Sequence, residues 1–340
     1  MRILVTGGAG FIGSHTCVAL HEAGMEPVIL DNFSNAAPDI LDGLARIIGY
    51  KPLCYTGDCL DTALVANLLQ MEKIQGVIHF AAYKAVGESV QEPLKYYENN
   101  VGGLISVLKA MQKTGCETLV FSSSCTVYGQ PDLVPVSENT PRLPAQSPYG
   151  NTKAIGEDVL RDVVQAGVGL KTIALRYFNP IGAHPSAEIG ELPIGIPANL
   201  VPFITQSVAG LRPPVTVFGT DYPTPDGTGI RDYIHVMDLA EAHVQALRYL
   251  SGCTSPYYDE VNVGTGTGNS VLEIIRTFEA VNGIKVPHVL GKRRAGDVVQ
   301  IYAEVHKAAS MLQWQTRRSL ADALQDAWRW QQRLSARPLG

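Results

Sequence analysis

Tyr149 and Lys153 form a pair whose residue types and spacing could do chemistry. They are four positions apart, so on a helix their side chains would lie on one face and nearly touch. A free tyrosine has a pKa of about 10 and is almost wholly protonated at neutral pH. A neighbouring ammonium favours the phenolate, so the pair could act as a general base near pH 7. Alone the pair is weak evidence, because a lysine stem covering a tyrosine ring is common on helix surfaces.

A glycine-rich loop near the amino terminus predicts a phosphate site. Gly8, Gly10 and Gly13 satisfy the pattern G-x-G-x-x-G, and Gly7 adds a further glycine before it. The loop follows the apolar run Ile3 to Val5 and precedes a helical pattern. Glycine permits the tight turn and lets the backbone approach a pyrophosphate, which then lies at the amino end of the helix.

Asp31 indicates which dinucleotide the loop would bind. It ends the second predicted strand, 18 positions beyond Gly13, where an acidic residue accepts hydrogen bonds from the adenosine ribose. The carboxylate would repel the 2′-phosphate of NADP, and no arginine stands between Asp31 and Arg46 to receive it. We therefore expect NAD. Asp58 and Asn99 could also contact the cofactor, but position alone favours an ordinary polar residue equally.

The elements that would position these residues alternate between strand and helix. Apolar runs predict buried strands at Ile3–Val5, Val28–Leu30, Leu53–Tyr55, Val77–Phe80, Leu119–Phe121 and Thr172–Leu175. Helical patterns lie between them at about Ser14–Ala23, Asp39–Ile48, Asp61–Met71, Pro93–Lys113 and Tyr149–Gln165. This order predicts an α/β fold with a doubly wound parallel sheet of the Rossmann type, covered on both faces.

The texture of the chain changes after about Phe178, where prolines and glycines follow one another closely. Such a region predicts loops joined by short elements. Helical patterns return at about Val236–Tyr249, Val271–Val281 and Leu320–Leu334. We predict an NAD-binding domain over residues 1–180 and a smaller, loop-rich α/β substrate domain over residues 181–340, with the segment 231–263 folding back onto the first.

Composition excludes several classes of function. A formal net charge of −5 without a long charged block argues against nucleic acid or a membrane surface as partner. No apolar segment approaches the ~20 residues that span a bilayer. Six scattered cysteines form no C-x-x-C pair, and the histidines show no ligand-like spacing. We therefore expect no metal site, no disulfide framework and a reducing, cytoplasmic location.

Further motifs give the chain a family resemblance. The chain resembles the nucleotide-sugar epimerases of the extended short-chain dehydrogenase/reductase family in the order and spacing of these segments. They are Thr6–His15, Asp31-Asn32, His79–Ser89, Ser122–Gly129, Tyr149–Lys153, Arg176–Asn179, Gly227–His235 and Arg293–Asp297. Within them, Lys84–Ser89 and Gly227–His235 are far more specific than the glycine loop.

The resemblance implies two sets of binding residues. Contacts with NAD would come from the loop glycines Gly7, Gly10 and Gly13, and from Phe11, Ile12, Asp31, Asn32, Asn35, Asp58, Cys59, Phe80, Ala81, Ala82, Lys84, Asn99, Tyr149, Lys153 and Phe178. Contacts with a UDP-sugar would come from Ser124, Tyr149, Asn179, Asn199, Leu200, Thr216, Val217, Phe218, Arg231, Arg294 and Asp297. Two arginines suit a diphosphate, and Phe218 could pack on a uracil ring.

The resemblance also implies a reaction. It is the reversible epimerisation of UDP-hexoses at C4, through transient oxidation to a 4-keto sugar with tightly held NAD+. Tyr149 would be the base, Lys153 would lower its pKa, and Ser124 would relay the proton. The family is commonly homodimeric through two helices, here around Pro93–Lys113 and Tyr149–Gln165.

Alternatives within and outside the family remain. Dehydratases place an Asp-Glu pair where this chain has Cys125 and Thr126, so elimination lacks its acid and base. Decarboxylation of UDP-glucuronate, or another nucleotide-sugar reaction, stays open. A non-catalytic NAD sensor is disfavoured because Ser124, Tyr149 and Lys153 are present together. Ile301 stands where the family has an aromatic or a small residue, so N-acetylated UDP-sugars stay open as substrates.

Overall fold

The computed structural model describes residues 1–294 and 297–336. Ala295 and Gly296, which belong to the motif at 293–297, and residues 337–340 of the predicted second domain lie outside the described residues. The first half contains β1 (Arg2–Thr6), α1 (Phe11–Glu22), β2 (Glu26–Asp31), α2 (Ile40–Ile48), β3 (Leu53–Thr56), α3 (Thr62–Met71), β4 (Gly76–His79), α4 (Val86–Gln91), α5 (Pro93–Tyr96), α6 (Gly103–Thr114), β5 (Thr118–Ser124), α7 (Pro148–Gln165) and β6 (Lys171–Tyr177).

The second half contains β7 (Asn179–Ile181), α8 (Leu200–Val208), β8 (Val215–Phe218), β9 (Ile230–His235), α9 (Val236–Gly252), β10 (Tyr257–Val263), β11 (Gly268–Ser270), α10 (Val271–Asn282), β12 (His288–Gly291), β13 (Gln300–Ile301), α11 (His306–Leu312) and α12 (Leu320–Ser335). A π-helical turn, Tyr97–Gly102, joins α5 to α6, and a 3₁₀ turn, Cys125–Tyr128, follows β5.

A large parallel sheet organises the molecule. Its strand order in the described residues is β10-β6-β5-β4-β1-β2-β3, and every neighbouring pair is parallel. The doubly wound α/β fold is therefore confirmed. The strand order reverses between β1 and β4, and in such sheets ligands bind in the crevice beyond the carboxyl ends of the strands at this point.

Alternating apolar residues cover both faces of the sheet. Ile3 and Val5 of β1 pack into a cluster with α1, α2 and α9, whereas Leu4 packs into the opposite cluster with α3, α6 and α7. All three side chains are wholly buried. A strand whose two faces are both covered needs apolar residues throughout, which is why these strands read as unbroken apolar runs.

The later part of the chain contributes to two regions. Strand β10 pairs with β6 at the edge of the large sheet, and α9 packs against α1. Strand β9 instead pairs with β7, β11 and β13, and β8 pairs with β12. A separate apolar cluster that includes Ile204, Phe278 and Leu324 lies beneath these strands. The division at residue 180 stays a prediction.

Two helices differ from the sequence prediction, each for a local reason. Helix α1 begins at Phe11, three residues earlier than expected, because Gly10 has the extended backbone of a helix start. The expected helix 93–113 is interrupted by the π-helical turn. There Asn100 directs its side chain to the backbone of Tyr83 and to Thr152, contacts that a regular helical pattern cannot anticipate. Within the described ranges, no helix is long and apolar enough to cross a membrane.

Candidate active site

The glycine loop is packed so closely that a side chain would not fit at Gly7 or at Gly13. Gly7 has a positive φ of 71°, and a Cβ there would lie 2.8 Å from the backbone nitrogen of Ala81. A Cβ on Gly13 would lie 2.2 Å from the Gly7 carbonyl oxygen. Among the described residues, no side chain caps the start of α1 at Gly10. The first N–H groups of α1 are therefore available for an anion such as the pyrophosphate of a dinucleotide, with Phe11 and Ile12 in this first turn.

Asp31 joins this loop to the second strand. Its carboxylate accepts hydrogen bonds from the N–H groups of Ala9 and Phe33, each at 2.9 Å. Burial raises the pKa of Asp31, although these two hydrogen bonds act in the opposite direction. Asn32 donates to Asp58 at 2.9 Å, so the ends of β2 and β3 present polar groups side by side. This arrangement fits the ribose side of NAD, and Asn35 is exposed on the adjoining loop.

The other expected cofactor residues lie around the same crevice. Phe80, Ala81 and Ala82 directly follow β4, and Phe178 is buried directly after β6. Asn99 lies in the π-helical turn and donates to the Asn100 side chain at 2.9 Å. Such turns are frequent at functional sites.

Cys59 turns its side chain away from the crevice and into the core. Its thiol is buried in the apolar cluster beneath α3 and α6, and burial raises its pKa to about 12. A Cβ on Gly103 would approach the Cys59 sulfur to 3.0 Å. Only the backbone of Cys59 could therefore contact a cofactor.

Ser124, Tyr149 and Lys153 are brought together at the carboxyl end of β5. Ser147 accepts a hydrogen bond from the Gly150 N–H at 3.1 Å and Pro148 follows it, so α7 starts just before Tyr149. The Lys153 ammonium lies 5.9 Å from the centre of the Tyr149 ring. Ser124 is the last residue of β5, and its hydroxyl lies near enough to the Tyr149 phenol to act on its pKa. The helix thus presents the pair to the strand that carries the serine.

The pKa values of Tyr149 and Lys153 are both shifted in the protein without cofactor. Burial raises the pKa of Tyr149 to about 12, although the nearby Ser124 hydroxyl acts to lower it. Burial also lowers the pKa of Lys153 to about 7. Removal of each group from water is the largest cause of its shift.

A buried chain of polar groups holds Lys153, and the sequence prediction missed most of it. The ammonium donates to the Ser122 carbonyl oxygen at 2.6 Å. The Ser122 hydroxyl lies near the Tyr177 hydroxyl, which is 2.6 Å from Nε2 of His243. Burial lowers the pKa of His243 to about 4, so this imidazole is neutral at pH 7. Because its Nδ1 lies 2.8 Å from the Leu239 carbonyl oxygen, Nδ1 carries the proton and Tyr177 donates to Nε2.

The residues expected to hold a nucleotide form a second group. Arg294 donates to Asp297 at 2.8 Å, and its guanidinium lies 5.6 Å from the centre of the Phe218 ring. Phe218 is 44% exposed, so its ring is open to a planar partner. Thr216, two residues before Phe218 on β8, is partly buried. The Val217 side chain is wholly buried in the core. Only the backbone of Val217 could contact a ligand.

Glu191 connects the expected cofactor and substrate residues, although no sequence signal identified it. One of its carboxylate oxygens accepts from Lys84 at 3.1 Å and from Asn199 at 2.7 Å. Asn199 directly precedes Leu200, the first residue of α8. The two expected contacts, over a hundred positions apart, therefore meet at one acidic side chain in a proline- and glycine-rich loop.

The remaining expected residues lie on two paired strands. Asn179 begins β7 and faces Tyr233 of β9 in the register. Arg231 lies in β9 opposite Ile301 of β13, and it donates to the Ile230 carbonyl oxygen at 2.8 Å. Ile301 is buried in an apolar cluster with Cys125 and Phe178, which flank the triad. Over residues 1–294 and 297–336, no cluster of side chains could hold a metal ion.

The chain matches a known family over most of its length. Residues 3–264 match the model of the NAD dependent epimerase/dehydratase family. The chain is 50% identical over 329 residues to a UDP-glucose 4-epimerase of Neisseria meningitidis, covering 97% of this chain and 96% of that protein. It is also 50% identical to a UDP-glucose 4-epimerase of Bacillus subtilis, with 97% of each chain covered.

Solved structures resemble it equally closely. A UDP-glucose-4-epimerase from Stenotrophomonas maltophila, with bound NAD and formylated UDP-arabinopyranose, superposes with a TM-score of 0.96 at 47% identity, covering 98% of this chain and 99% of that one. A UDP-glucose 4-epimerase from Bifidobacterium longum, in complex with NAD+ and UDP, has a TM-score of 0.94 at 42% identity and 98% coverage of both chains.

Proposed function

This chain belongs to the NAD dependent epimerase/dehydratase family, and we propose that it interconverts UDP-hexoses at C4, as between UDP-glucose and UDP-galactose. The observation that carries the proposal is the meeting of Ser124, Tyr149 and Lys153 beside a glycine loop built for a dinucleotide. Relatives that share half of its residues over nearly the full length are UDP-glucose 4-epimerases.

NAD fits the crevice at the sheet edge. The amino end of α1, the Asp31 carboxylate and the Lys84 ammonium offer partners for pyrophosphate and ribose. When bound, NAD supplies a reversible hydride acceptor for C4 of the sugar. The full set of contacts proposed for it is Gly7, Gly10, Phe11, Ile12, Gly13, Asp31, Asn32, Asn35, Asp58, Cys59, Phe80, Ala81, Ala82, Lys84, Asn99, Tyr149, Lys153 and Phe178.

Tyr149 is the proposed base. As phenolate it takes the proton of the sugar 4-hydroxyl, and it returns a proton when the 4-keto sugar is reduced. The pKa of Tyr149 stands at about 12 in the protein alone, so a positive charge must lower it during the reaction. Lys153 supplies such a charge when a bound ribose hydroxyl and the Ser122 carbonyl oxygen hold it as an ammonium. The Ser124 hydroxyl lies beside Tyr149 and can both accept and donate a hydrogen bond, so it can relay the proton.

Reduction on the opposite face requires the 4-keto sugar to turn within the site. The nucleotide must then be the firm anchor, and the charged groups at Arg231, Arg294 and Asp297 suit a diphosphate and a ribose. Phe218 offers an exposed ring for uracil. The proposed substrate contacts are Ser124, Tyr149, Asn179, Asn199, Leu200, Thr216, Val217, Phe218, Arg231, Arg294 and Asp297.

Competing reactions lack support at the same site. Dehydration requires an acid and a base beside the triad, where this chain has Cys125 and Thr126. Burial raises the pKa of the Cys125 thiol to about 12, so it stays protonated. A passive NAD sensor has no need of a tyrosine that lies beside both a serine hydroxyl and a buried lysine.

Three finer features are also part of the proposal. A homodimer through α6 and α7 accounts for Ile105 of α6, which is 37% exposed, and for Leu94 nearby, which is 80% exposed. A cytoplasmic location fits the six free thiols. Turnover of N-acetylated UDP-sugars fits the intermediate size of Ile301, and a UDP-Glc/GlcNAc 4-epimerase from Campylobacter jejuni is 36% identical over 98% of this chain.

The test is turnover by the purified protein. We expect UDP-galactose to be converted to an equilibrium mixture with UDP-glucose without added reductant, as followed by separation of the two sugars. UDP-glucuronate supplied in the same assay should release no carbon dioxide. Release of carbon dioxide without epimerisation would replace the proposal with a decarboxylase, and binding of both nucleotides without turnover of either would favour the sensor.

A further inference from the structure

A closed ring of alternating charges lies beside α7. Among the described residues it contains three arginines and three carboxylates, in the order Glu157, Arg142, Asp158, Arg161, Glu260, Arg176 and back to Glu157. Neighbouring nitrogen and oxygen atoms are 2.5 to 3.6 Å apart. The ring joins α7 to β6, to β10 and to the stretch before α7. No step of the proposed mechanism uses it.

The inner side of the ring is buried and touches both catalytic elements. The Arg176 guanidinium donates two hydrogen bonds, of 2.8 and 2.7 Å, to the two carboxylate oxygens of Glu157. The side chains of Arg176 and Glu157 are 3% and 0% exposed. Ser123 donates to the same carboxylate at 2.6 Å. Ser123 directly precedes Ser124 on β5, and Glu157 lies one helical turn beyond Lys153 on α7. One carboxylate therefore ties the strand of the serine to the helix of the base.

Stability alone does not account for this buried pair. Removing two charges from water offsets most of their attraction, and well-packed apolar substitutes are often as stable or more so. A forked arginine–carboxylate pair does fix distance and orientation. The neighbouring Gly156 lets α7 approach β5 closely, because a Cβ there would lie 2.6 Å from the Phe121 ring of β5. The helix is thus held on the strand at close approach and in one register.

We propose that Glu157 is a positioning residue, which acts with Arg176 and Ser123 to hold α7 on β5 and so sets the separation of Tyr149 from Ser124. This inference rests on the proposed epimerase function. A base that serves both faces of one carbon must keep its place while the sugar turns. A displacement of about 1 Å in such a site can cost on the order of 100-fold in rate.

The test replaces the charged pair without leaving a lone buried charge. Glu157→Gln combined with Arg176→Met keeps an acceptor for Ser123, while Tyr128 retains Asn262 and Arg142 retains Asp158. We expect the variant to unfold at a temperature close to that of the wild type. Its kcat for UDP-galactose should fall about 10- to 100-fold, with KM within about threefold, because the nucleotide contacts are intact.

The control makes the same change to a partly buried ion pair elsewhere. Asp238, in the first turn of α9, is wholly buried and pairs at 2.5 Å with Arg318, whose side chain is 28% exposed. Asp238→Asn with Arg318→Met should leave kcat within about twofold of the wild type. An equal loss of kcat in this control would overturn the proposal, because the loss would then not depend on where the ion pair lies.

A second variant keeps the proposal falsifiable if the double variant does not fold. Ser123→Ala removes one hydroxyl and leaves the ion pair intact, so it should lower kcat about three- to tenfold at unchanged KM. A wild-type kcat in the folded double variant, or in Ser123→Ala when the double variant does not fold, overturns the positioning role. A wild-type protein that does not epimerise UDP-galactose refutes the proposed function itself, which is a separate outcome.

Discussion

The Lys153 ammonium donates to the Ser122 carbonyl oxygen at 2.6 Å, so the lysine next to the base is held by the strand that carries Ser124. The ammonium also lies 5.2 Å from the centre of the Phe121 ring, and Lys153 as a whole is 4% exposed. Burial of this kind lowers the pKa of Lys153 to about 7. Lys153 is therefore close to half protonated at pH 7, and a ligand that binds beside it can shift this balance.

Tyr149→Phe should remove the base and keep the ring. We expect kcat to fall by at least about 100-fold, because a positioned general base contributes on the order of 10²- to 10⁴-fold. The measurement is conversion of UDP-galactose, with the NAD content of the purified protein measured beside it so that loss of cofactor is told apart from loss of the base. Tyr257→Phe, at the edge strand β10, removes a comparable hydroxyl and should turn over normally. Near-wild-type turnover by Tyr149→Phe would refute the assignment.

Lys153→Met should change how stability depends on pH in the cofactor-free protein. The pKa of Lys153 is about 7 in the folded state against 10.5 for a free lysine, so the unfolded state binds more protons between these values. The contribution of Lys153 to folding stability therefore rises from pH 7 to pH 10.5, by at most about 1.4 kcal/mol per pH unit.

Denaturant midpoints at pH 7 and pH 9 measure this difference. The wild type should gain stability relative to Lys153→Met on going from pH 7 to pH 9. Tyr149 does not interfere, because its raised pKa acts only above pH 10. Identical pH trends in the two proteins would show that folding does not lower the pKa of Lys153.

Asp31→Asn should loosen NAD. The amide keeps only one acceptor oxygen for the Ala9 and Phe33 N–H groups and loses the charge that suits ribose hydroxyls. Loss of a charged hydrogen bond predicts about 10- to 100-fold weaker binding. NAD retained after gel filtration, and NAD affinity by calorimetry, report the change. Asp42→Asn, on the exposed surface of α2, is the matched control, and equal loss of NAD from both variants would contradict the assignment.

Ile301→Ala should favour N-acetylated sugars. The residue is buried beside Cys125 and Phe178, so truncation opens space next to the triad. We expect the ratio of turnover for UDP-N-acetylgalactosamine over UDP-galactose to rise at least about tenfold, the low end of what one methylene group contributes to discrimination in an apolar pocket. Val136→Ala makes a cavity in the same cluster and controls for loosened packing. If the ratio rises equally in both variants, Ile301 does not determine the specificity for N-acetylated sugars.

Much of the architecture and part of the site are readable in the sequence because they depend on local order. Apolar runs between helical patterns specify a parallel sheet with both faces covered, and the strands β1 to β6 lie where those runs predict. The glycine loop and Asp31 follow from the backbone geometry that a dinucleotide requires. Tyr149 and Lys153 share a helix face because four residues make about one turn.

Other parts of the site depend on contacts between distant segments, and only the tertiary structure decided them. Glu191 joins Lys84 to Asn199, and His243 reaches Lys153 through Tyr177 and Ser122, without any periodic pattern to mark them. Glu157 could have been noticed four positions after Lys153, but its partners Ser123 and Arg176 come from two other strands. The sequence thus determined which groups are available. Burial, which raises the pKa of Tyr149 and lowers that of Lys153, exists only once the chain is folded.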